Sequence, residues 1–485
     1  MEPGRDAEGD DVASLLAVRD AQISALLERV AALEGLVAAL RAQLDRDSSN
    51  SGKPPSSDSP FVKKPAAKRS SRTRSGKPQG KQPGSPGTAL CLVDDPDVTL
   101  VHPPTACGGC GLDLADAQVF AEQRHQVLDI PPVRPRPHVT EHRVQSKTCA
   151  DCGSVTGAEV PGIAAGRVQY GPRLKARAAW LVCAHFLPVR RARLALNALL
   201  GFAVSDGLVA GLRGKAARLL EDTFLPHVRK LIAAAPVAHA DETTARAAGS
   251  LHYLHVACTE HLTAMHVGDR TSEAIDAGMV WTRFAGVLVR DGYAGYQHLD
   301  QIEHAWCGIH LVRDLRSVHD PDPAGQSWAA MMVRTLLMAN RLAHTARGQG
   351  RGELTGAEHS QILSWYHGAI AQGRAENKTG THPLHDAART LLRRFERHRE
   401  MILRFTVNLQ VPFTNNTAEL PARSVKVQQR TSGGCWRTLQ GLIDFAIVQS
   451  YLSTATKWGL DTLDALERLF TTGPWLPHAL TPDPA

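Results

Sequence analysis

Apolar residues recur every seven positions near the start of the chain. The first repeating position holds Leu16, Ile23, Val30, Val37 and Leu44, and the second holds Leu26, Leu33 and Leu40. Mostly β-branched residues at the first position and leucine at the second are typical of a parallel two-stranded coiled coil. Arg19 interrupts the pattern and Gly35 weakens it. Residues 12–45 are therefore predicted to form a coiled coil that makes a homodimer or higher oligomer. The alternative is one amphipathic helix packed on the protein's own core.

Helical periodicity returns over residues 170–235, where apolar residues follow the spacing of a helix face. This stretch is predicted to be a helical domain. Two short helices around Gly201 would suit a helix-turn-helix that binds DNA, and a plain helical bundle is the alternative.

Residues 236–311 change to strand chemistry. The segments VAHADETTAR, LHYLHVACT and LTAMHVG are separated by turn residues at Gly249-Ser250 and Glu260-His261, which predicts a three-stranded meander. A helix is predicted over TSEAIDAGMVWTRF, then a buried strand over GVLVRDGYAGY that ends at Asp291. A short strand, EHAWCG, leads into a helix from Ile309. Three strands, a helix and a further strand are the order of an RNase H-like core.

The remainder is predicted to be mostly helical, with a helical insertion over 312–405 and the last part of the core with C-terminal helices over 406–475. The predicted fold class is multidomain α/β. It combines an RNase H-like catalytic core, interrupted by the insertion, with the N-terminal coiled coil and a zinc ribbon.

Three acidic residues fit this core. In an RNase H-like fold the first and fourth strands are neighbours, so Asp241 and Asp291 would converge, and Glu419 from a later helix would complete the set. Asn416 is a candidate N-cap of that helix. Carboxylates suit Mg²⁺ or Mn²⁺, and a pair of such ions serves both ends of an in-line displacement at phosphorus. Any one of these acids alone would more often be a turn or cap residue.

Between the coiled coil and the core lie two segments of different composition. Residues 46–88 are rich in Ser, Pro, Gly, Lys and Arg, which predicts a disordered basic linker. DNA phosphates are the predicted contacts of Lys63, Lys64, Arg72 and Arg74. A merely solvated tether is the other reading, and the two are not exclusive.

Residues 89–160 contain two C-x-x-C pairs, Cys107 with Cys110 and Cys149 with Cys152, on either side of the strand-like segment HVTEHRVQSKT. Four thiolates suit a tetrahedral, structural Zn²⁺ site in a zinc ribbon. The alternative is four unrelated buried cysteines.

Charge and composition indicate which partner and which compartment to expect. A formal net charge of +7 favours a polyanionic partner, although an indifferent basic surface would give the same value. No long apolar run or apolar signal core occurs, so we expect neither a membrane span nor secretion. The chain has nine cysteines, and four of them form the two C-x-x-C pairs. This pattern indicates metal binding in a reducing compartment and not a disulfide framework, so a cytoplasmic location is expected.

Several blocks of the sequence resemble the DDE transposases of the insertion-sequence-66 family. They are HADETTARAAGSLHYLHVA, VRDGYAGY, CGIHLVRDL and NNTAELPARSVKVQQRTSGG, and the heptads, the NSGKPPSSD linker and the two C-x-x-C pairs precede them in the family's order. The resemblance implies metal-dependent DNA cleavage at the ends of an insertion element and strand transfer into target DNA. It also implies a bacterial, nucleoid-associated protein that is helped by accessory transposition proteins.

By the same resemblance, Asp241, Asp291 and Glu419 would be the catalytic metal ligands. The implied DNA contacts are His310, Asn416, Arg423 and Lys426. Cys307 and His310 match a short C-x-x-H element, whose residues would contact DNA, bind a metal or belong to the core.

One position departs from the family pattern. Similar sequences have arginine after the glutamate, whereas this chain has Leu420 followed by Pro421. A proline inside a helix costs about 3 kcal/mol or more, so the helix would alternatively begin near Pro421 with Glu419 on a loop. Two rival functions follow: a catalytically impaired remnant that only binds DNA, and an RNase H-like nuclease that cuts without joining.

Overall fold

The computed structural model describes residues 6–44, 91–129, 137–159, 168–201, 203–380 and 383–482. The chain divides into two compact units. One is Pro60–Arg136, and the other comprises Met1–Ser59 with Pro137–Ala485. Every helix and strand named below belongs to the second unit. Among the described residues, no helix combines the length and apolarity that crossing a membrane requires.

The first element is a single long helix, α1 (Asp6–Leu44). Among its described side chains, Leu26, Leu33 and Leu40 are each at least half exposed. The predicted helix is therefore present, and in this chain alone these three heptad leucines are not covered. The coiled coil itself stays a prediction.

A short antiparallel hairpin surrounds the second C-x-x-C pair. Its strands are β1 (Ser146–Thr148) and β2 (Val155–Gly157), with Lys147 opposite Thr156. The strand predicted over HVTEHRVQSKT is thus confined to its last three residues. The long strand predicted there was wrong, because only the part beside the tight turn finds a partner.

Four helices precede the main sheet, as predicted for residues 170–235. They are α2 (Pro172–Cys183), α3 (Val189–Leu200), α4 (Asp206–Glu221) and α5 (Phe224–Ala233). Pro172 starts α2 where a missing N–H is harmless. Gly201 ends α3 in the left-handed conformation, with φ of 66°, and Ser205 caps α4 by accepting the Leu208 N–H.

The main sheet in the described residues has five strands in the order β5-β4-β3-β6-β7. These strands are β3 (Val237–Ala247), β4 (Ser250–Cys258), β5 (Thr263–Gly268), β6 (Val287–Arg290) and β7 (Glu303–Trp306). The first three are antiparallel neighbours, and β6 pairs in parallel with both β3 and β7. The predicted meander is present, and its first strand lies beside the fourth, as predicted.

The turns of this sheet follow from backbone conformation. Ala248 and Gly249 join β3 to β4 with φ of 50° and 82°, as a two-residue turn of type I′ requires. The single helix predicted over TSEAIDAGMVWTRF was wrong. Met279 adopts a φ of 55°, which breaks the segment into a short helix at Ser272–Asp276 and a 3-10 turn at Trp281–Arg283.

The remaining helices cover both faces of the sheet. They are α6 (Ser272–Asp276), α7 (Gly308–His319), α8 (Ser327–Gly348), α9 (Gly356–Glu376), α10 (Pro383–Arg397), α11 (Arg399–Val407), α12 (Asn416–Thr431), α13 (Leu439–Lys457) and α14 (Thr462–Thr471). Side chains alternate across β6. Leu288 packs with α2, α4, α13 and α14, whereas Val287 and Val289 pack with the group α7–α11. The result is a mixed α/β architecture, as predicted.

Helix α13 also covers the edge of the sheet. Ser450 accepts a hydrogen bond from the Met265 N–H at 2.8 Å, and Thr454 accepts one from the Thr263 N–H at 3.0 Å. These backbone donors of β5 would otherwise be unpaired at a sheet edge.

Candidate active site

The parallel register of β3 and β6 brings two aspartates to the same level. Val237 lies opposite Val287 and His239 opposite Val289, an offset of 50 residues in both pairs. Continuing this offset by two residues places Asp241 opposite Asp291, the first residue after β6. The Asp291 carboxylate is fixed by its own turn, since Oδ1 accepts the Tyr293 N–H at 2.9 Å.

Glu419 approaches from α12, in the first turn of the helix. The helix start is tied to β3 through Asn415, which is buried. Its Nδ2 donates to the Ala240 carbonyl at 2.8 Å, and its Oδ1 lies 3.0 Å from His239 Nδ1. Because the amide oxygen only accepts, His239 must carry its proton on Nδ1. Burial lowers the pKa of His239 to about 4, which keeps the imidazole neutral.

The backbone of Asn415 reaches a third segment. Its N–H donates to the Cys307 sulfur at 3.3 Å, at the junction of β7 and α7. The residues that precede Glu419 are therefore fixed against two strands of the sheet at once.

The electrostatics identify a crowded acidic centre. Burial raises the pKa of Asp241 well above its usual value, and the charges of Glu242, Asp291 and Glu419 raise it further, while His310 opposes them. Asp291 and Glu419 therefore both lie close enough to Asp241 to act on its charge. Clustered carboxylates form the donor set that a hard divalent cation neutralises.

Glu242 is a buried acid that the sequence analysis did not select. It accepts hydrogen bonds from Arg270 Nε at 3.2 Å and Nη2 at 2.8 Å. The Arg270 guanidinium lies 3.9 Å from the ring centroid of Tyr293. Burial and Asp291 raise the pKa of Glu242 to about 7, although Arg270 opposes the shift. The only signal for it in the sequence was its position next to Asp241.

His310 and Cys307 lie on the other side of Glu419. His310 Nδ1 is 3.9 Å from Glu419 Oε1. Burial lowers the pKa of His310, but Cys307, Glu419 and Asp291 outweigh it and raise the pKa to about 9. His310 is therefore a cation beside Glu419.

The start of α12 corrects two expectations. Asn415, and not Asn416, occupies the N-cap position, and its side chain bonds to β3 instead of the helix. The alternative in which the helix begins near Pro421 was wrong. Pro421 leaves the Thr417 carbonyl without its helical donor, and the Cys258 thiol donates to that oxygen at 3.3 Å. Helix α12 therefore contains the proline with Glu419 still in its first turn.

The predicted DNA contacts have different surroundings. Asn416 is exposed at the helix start. Arg423 is 67% exposed, and its Nη2 lies 3.9 Å from Glu419 Oε2. Lys426 is directed inward, since its Nζ donates to the Thr244 carbonyl at 2.6 Å. The residues Lys63, Lys64, Arg72 and Arg74 lie outside the described residues.

The two C-x-x-C pairs each form the same turn, in their separate units. In the first, the Cys107 N–H donates to the Leu112 carbonyl at 2.8 Å, and the Gly111 N–H donates to the Cys107 carbonyl at 2.8 Å. Gly111 has a φ of 75°, where glycine is favoured.

The second pair repeats both bonds at the same offsets. The Cys149 N–H donates to the Ser154 carbonyl at 2.8 Å, the Gly153 N–H donates to the Cys149 carbonyl at 3.0 Å, and Gly153 has a φ of 71°. Hydrogen bonds with Ser154 lower the pKa of Cys152 to about 7. The alternative of four buried cysteines was wrong, because Cys110, Cys149 and Cys152 are exposed.

Comparison with known proteins places this geometry in context. The family model described as "Transposase IS66 family" matches residues 167–442, more than half of the chain. A second model, described as a family of unknown function (DUF6444), matches residues 10–90. No curated protein matches the chain.

Proposed function

The chain belongs to the IS66 family of transposases, and from this we propose that it is a DDE transposase with Asp241, Asp291 and Glu419 as its catalytic residues. It cleaves DNA at the ends of an insertion element and transfers the freed strand into target DNA. The observation that carries the proposal is the convergence of these acids, which come from β3, the end of β6 and α12.

The donor set fits a divalent cation. The three carboxylates would hold two Mg²⁺ or Mn²⁺ ions, which when bound stabilise the charge on the attacking and leaving oxygens. The protein's own contribution is positioning: Asn415 fixes the start of α12, and Tyr293 fixes Asp291. In the first step water cleaves a phosphodiester and leaves a 3′-hydroxyl. In the second, that hydroxyl attacks the target strand.

A basic face of α12 supports DNA as the partner. Glu419, Arg423, Lys426 and Arg430 follow one another at intervals of four, three and four residues, so they share one side of the helix. Arg423 and Arg430 are exposed. A DNA backbone that follows this face would meet cations directly beside the catalytic acid. We keep Asn416 and His310 as further DNA contacts, together with Lys63, Lys64, Arg72 and Arg74.

The architecture around the site is part of the same proposal. The sheet from β3 to β7 with α12 is an RNase H-like core, and residues 312–405 are a helical insertion into it. Helix α1 forms a coiled coil that joins two or more copies. Accessory transposition proteins are further partners, and the bacterial nucleoid is the proposed location.

Zinc is proposed for the two C-x-x-C turns. The repeated hydrogen-bond pattern supports this, because each pair lies in the same kind of tight turn, with exposed cysteines that are able to bind a metal as thiolates. Purified protein is expected to contain about one Zn²⁺ per chain. Cys110→Ser and Cys152→Ser should each lose it, whereas Cys435→Ser should keep it. Equal zinc in all variants would exclude this assignment.

The catalytic proposal is tested by nicking of duplex DNA that carries the ends of the element encoding this chain. Wild type with Mg²⁺ should nick at the end, Asp291→Asn should be slower by about a thousandfold or more, and the exposed Asp300→Asn should match wild type. Equal nicking by Asp291→Asn would refute the assignment. DNA binding without nicking by wild type in Mg²⁺ or Mn²⁺ would favour the impaired remnant.

A pre-cleaved end separates the transposase from a simple nuclease. With such a substrate the transposase is expected to join the 3′-hydroxyl to a second DNA. Nicking without any joined product would favour the nuclease.

A further inference from the structure

A second ligand set of different chemistry adjoins the three carboxylates. The Cys307 sulfur, a His310 ring nitrogen and a Glu419 carboxylate oxygen all lie within 4.8 Å of one another. Cys307 and His310 stand three residues apart at the start of α7, and Glu419 faces them from α12. Sulfur and imidazole are poor ligands for Mg²⁺ and good ones for Zn²⁺ and its neighbours in the first transition series.

The cluster is enclosed on one side and open on the other. Cys307 is buried, whereas the side chains of His310 and Glu419 are 16% and 19% exposed. A metal ion therefore has access from solvent past His310 and Glu419. Within the described residues, His310 Nδ1 is buried without a hydrogen-bond partner.

A backbone donor holds the sulfur in place. The Asn415 N–H donates to Cys307 Sγ at 3.3 Å. Hydrogen bonds of this kind orient metal ligands in known sites. Closing ligand separations of up to 4.8 Å around Zn²⁺, with bonds of about 2.0–2.3 Å, requires shifts of about 1 Å.

We propose that Cys307, His310 and Glu419 form a second site, sharing Glu419 with the catalytic acids, for a thiophilic divalent metal represented by Zn²⁺, and that its occupation inhibits DNA cleavage. Coordination displaces the thiol proton of Cys307 and the imidazolium proton of His310 to solvent, and leaves a fourth position for water. The inhibitory half rests on the proposed function, because it follows from the sharing of Glu419. A carboxylate bound to Zn²⁺ beside Cys307 is withdrawn from Asp241 and Asp291.

Binding is tested without any reference to activity. Full-length protein with its C-x-x-C cysteines loaded with Zn²⁺ is titrated with Co²⁺, and the near-ultraviolet absorption of a cobalt–thiolate bond is followed. Wild type and Cys435→Ser should bind about one Co²⁺ with this absorption, and Cys307→Ser should lack it. The same absorption in Cys307→Ser, or none in wild type, would overturn the site.

Inhibition is tested in the nicking assay with Mg²⁺ and added Zn²⁺. Wild type should lose at least about tenfold of its own Zn²⁺-free rate, whereas Cys307→Ser should lose less than about twofold of its own Zn²⁺-free rate. Equal inhibition of both would overturn the inhibitory role. Cobalt binding in a protein that never nicks would keep the site and refute the catalytic proposal. Normal nicking without cobalt binding would refute the metal site and keep the catalytic proposal.

Discussion

His239 donates a hydrogen bond from Nδ1 to the side-chain oxygen of Asn415 across 3.0 Å, and the same amide donates to the Ala240 carbonyl. These residues are 176 positions apart in sequence. On β3, these two hydrogen bonds reach His239 and Ala240, the residues directly before Asp241. On the other side, Asn415 lies four residues before Glu419. It is therefore the closest described link between the two elements that carry the first and third acids.

Removal of this link is expected to reduce cleavage more than it reduces folding. Asn415→Ala leaves His239 and the Ala240 carbonyl unpaired, at about 1–3 kcal/mol of unfolding free energy. Because Glu419 loses its fixed position, kcat for nicking should fall about a hundredfold with little change in KM. Single-turnover kinetics and thermal unfolding measure the two effects. Asn416→Ala, the exposed neighbour, should keep wild-type stability. Wild-type kcat in Asn415→Ala would contradict the positioning role.

Leu420 offers a gain-of-function prediction. Its side chain is 60% exposed on α12, next to Glu419, so a longer polar side chain fits there without repacking. Leu420→Arg adds one cation near the DNA phosphates and should tighten binding to element-end DNA about three- to tenfold near 0.1 M salt. The slope of log affinity against log salt should steepen by about one. Leu420→Gln is the uncharged control, and equal affinity of the two variants would disprove a phosphate contact.

The exposed leucines of α1 predict the oligomeric state. Leu33→Glu places a charge at a repeating apolar position and should convert a dimer or larger assembly into monomers, as sedimentation equilibrium would measure. Glu28→Gln, on the opposite side of the heptad, should leave the assembly intact. A wild type that is monomeric at about 10 µM would show that the coiled-coil prediction is wrong.

A buried histidine predicts how stability depends on pH. His266 stacks on His255 at 4.8 Å, and its Nε2 lies 2.7 Å from the Ala274 carbonyl. Burial, with help from His255, lowers the pKa of His266 to about 3, below about 6.5 for the unfolded chain. The unfolded state therefore takes up the proton first, and stability is present above pH 6.5 and lost as pH falls.

Urea unfolding at pH 7 and pH 5, followed by tryptophan fluorescence, measures this loss. His266→Gln keeps a donor for the Ala274 carbonyl but does not titrate. Its unfolding free energy should fall less steeply with acid than that of wild type, by up to about 1.4 kcal/mol per pH unit. Identical slopes would show that the pKa of His266 is the same in the folded and unfolded protein.

Local patterns explain why most of the sheet was predictable. Alternating apolar residues and the turn at Gly249 marked β3 and β4, and a short apolar run marked β6. Since neighbouring parallel strands end at one edge, Asp291 could be placed beside β3 from order alone. The helix of Glu419 was placed one residue late at its cap, because Asn415 and Asn416 are both good capping residues.

Contacts between distant segments could not be predicted in this way. The pairing of Glu242 with Arg270 depends on a fold that brings β3 against the segment after β5. The donation from Cys258 to the Thr417 carbonyl likewise depends on how α12 packs on β4. Proline propensity alone therefore argued against a helix that the tertiary structure supports.

The separation of the acids along the chain has a consequence for synthesis. Glu419 follows Asp291 by 128 residues, most of them in the helices α7 to α11. At about 5–20 residues per second, the ribosome needs roughly 10 s to make that stretch. On the proposed mechanism, a nascent chain that has already formed its first two acids is unable to cut the genome beside which it is made.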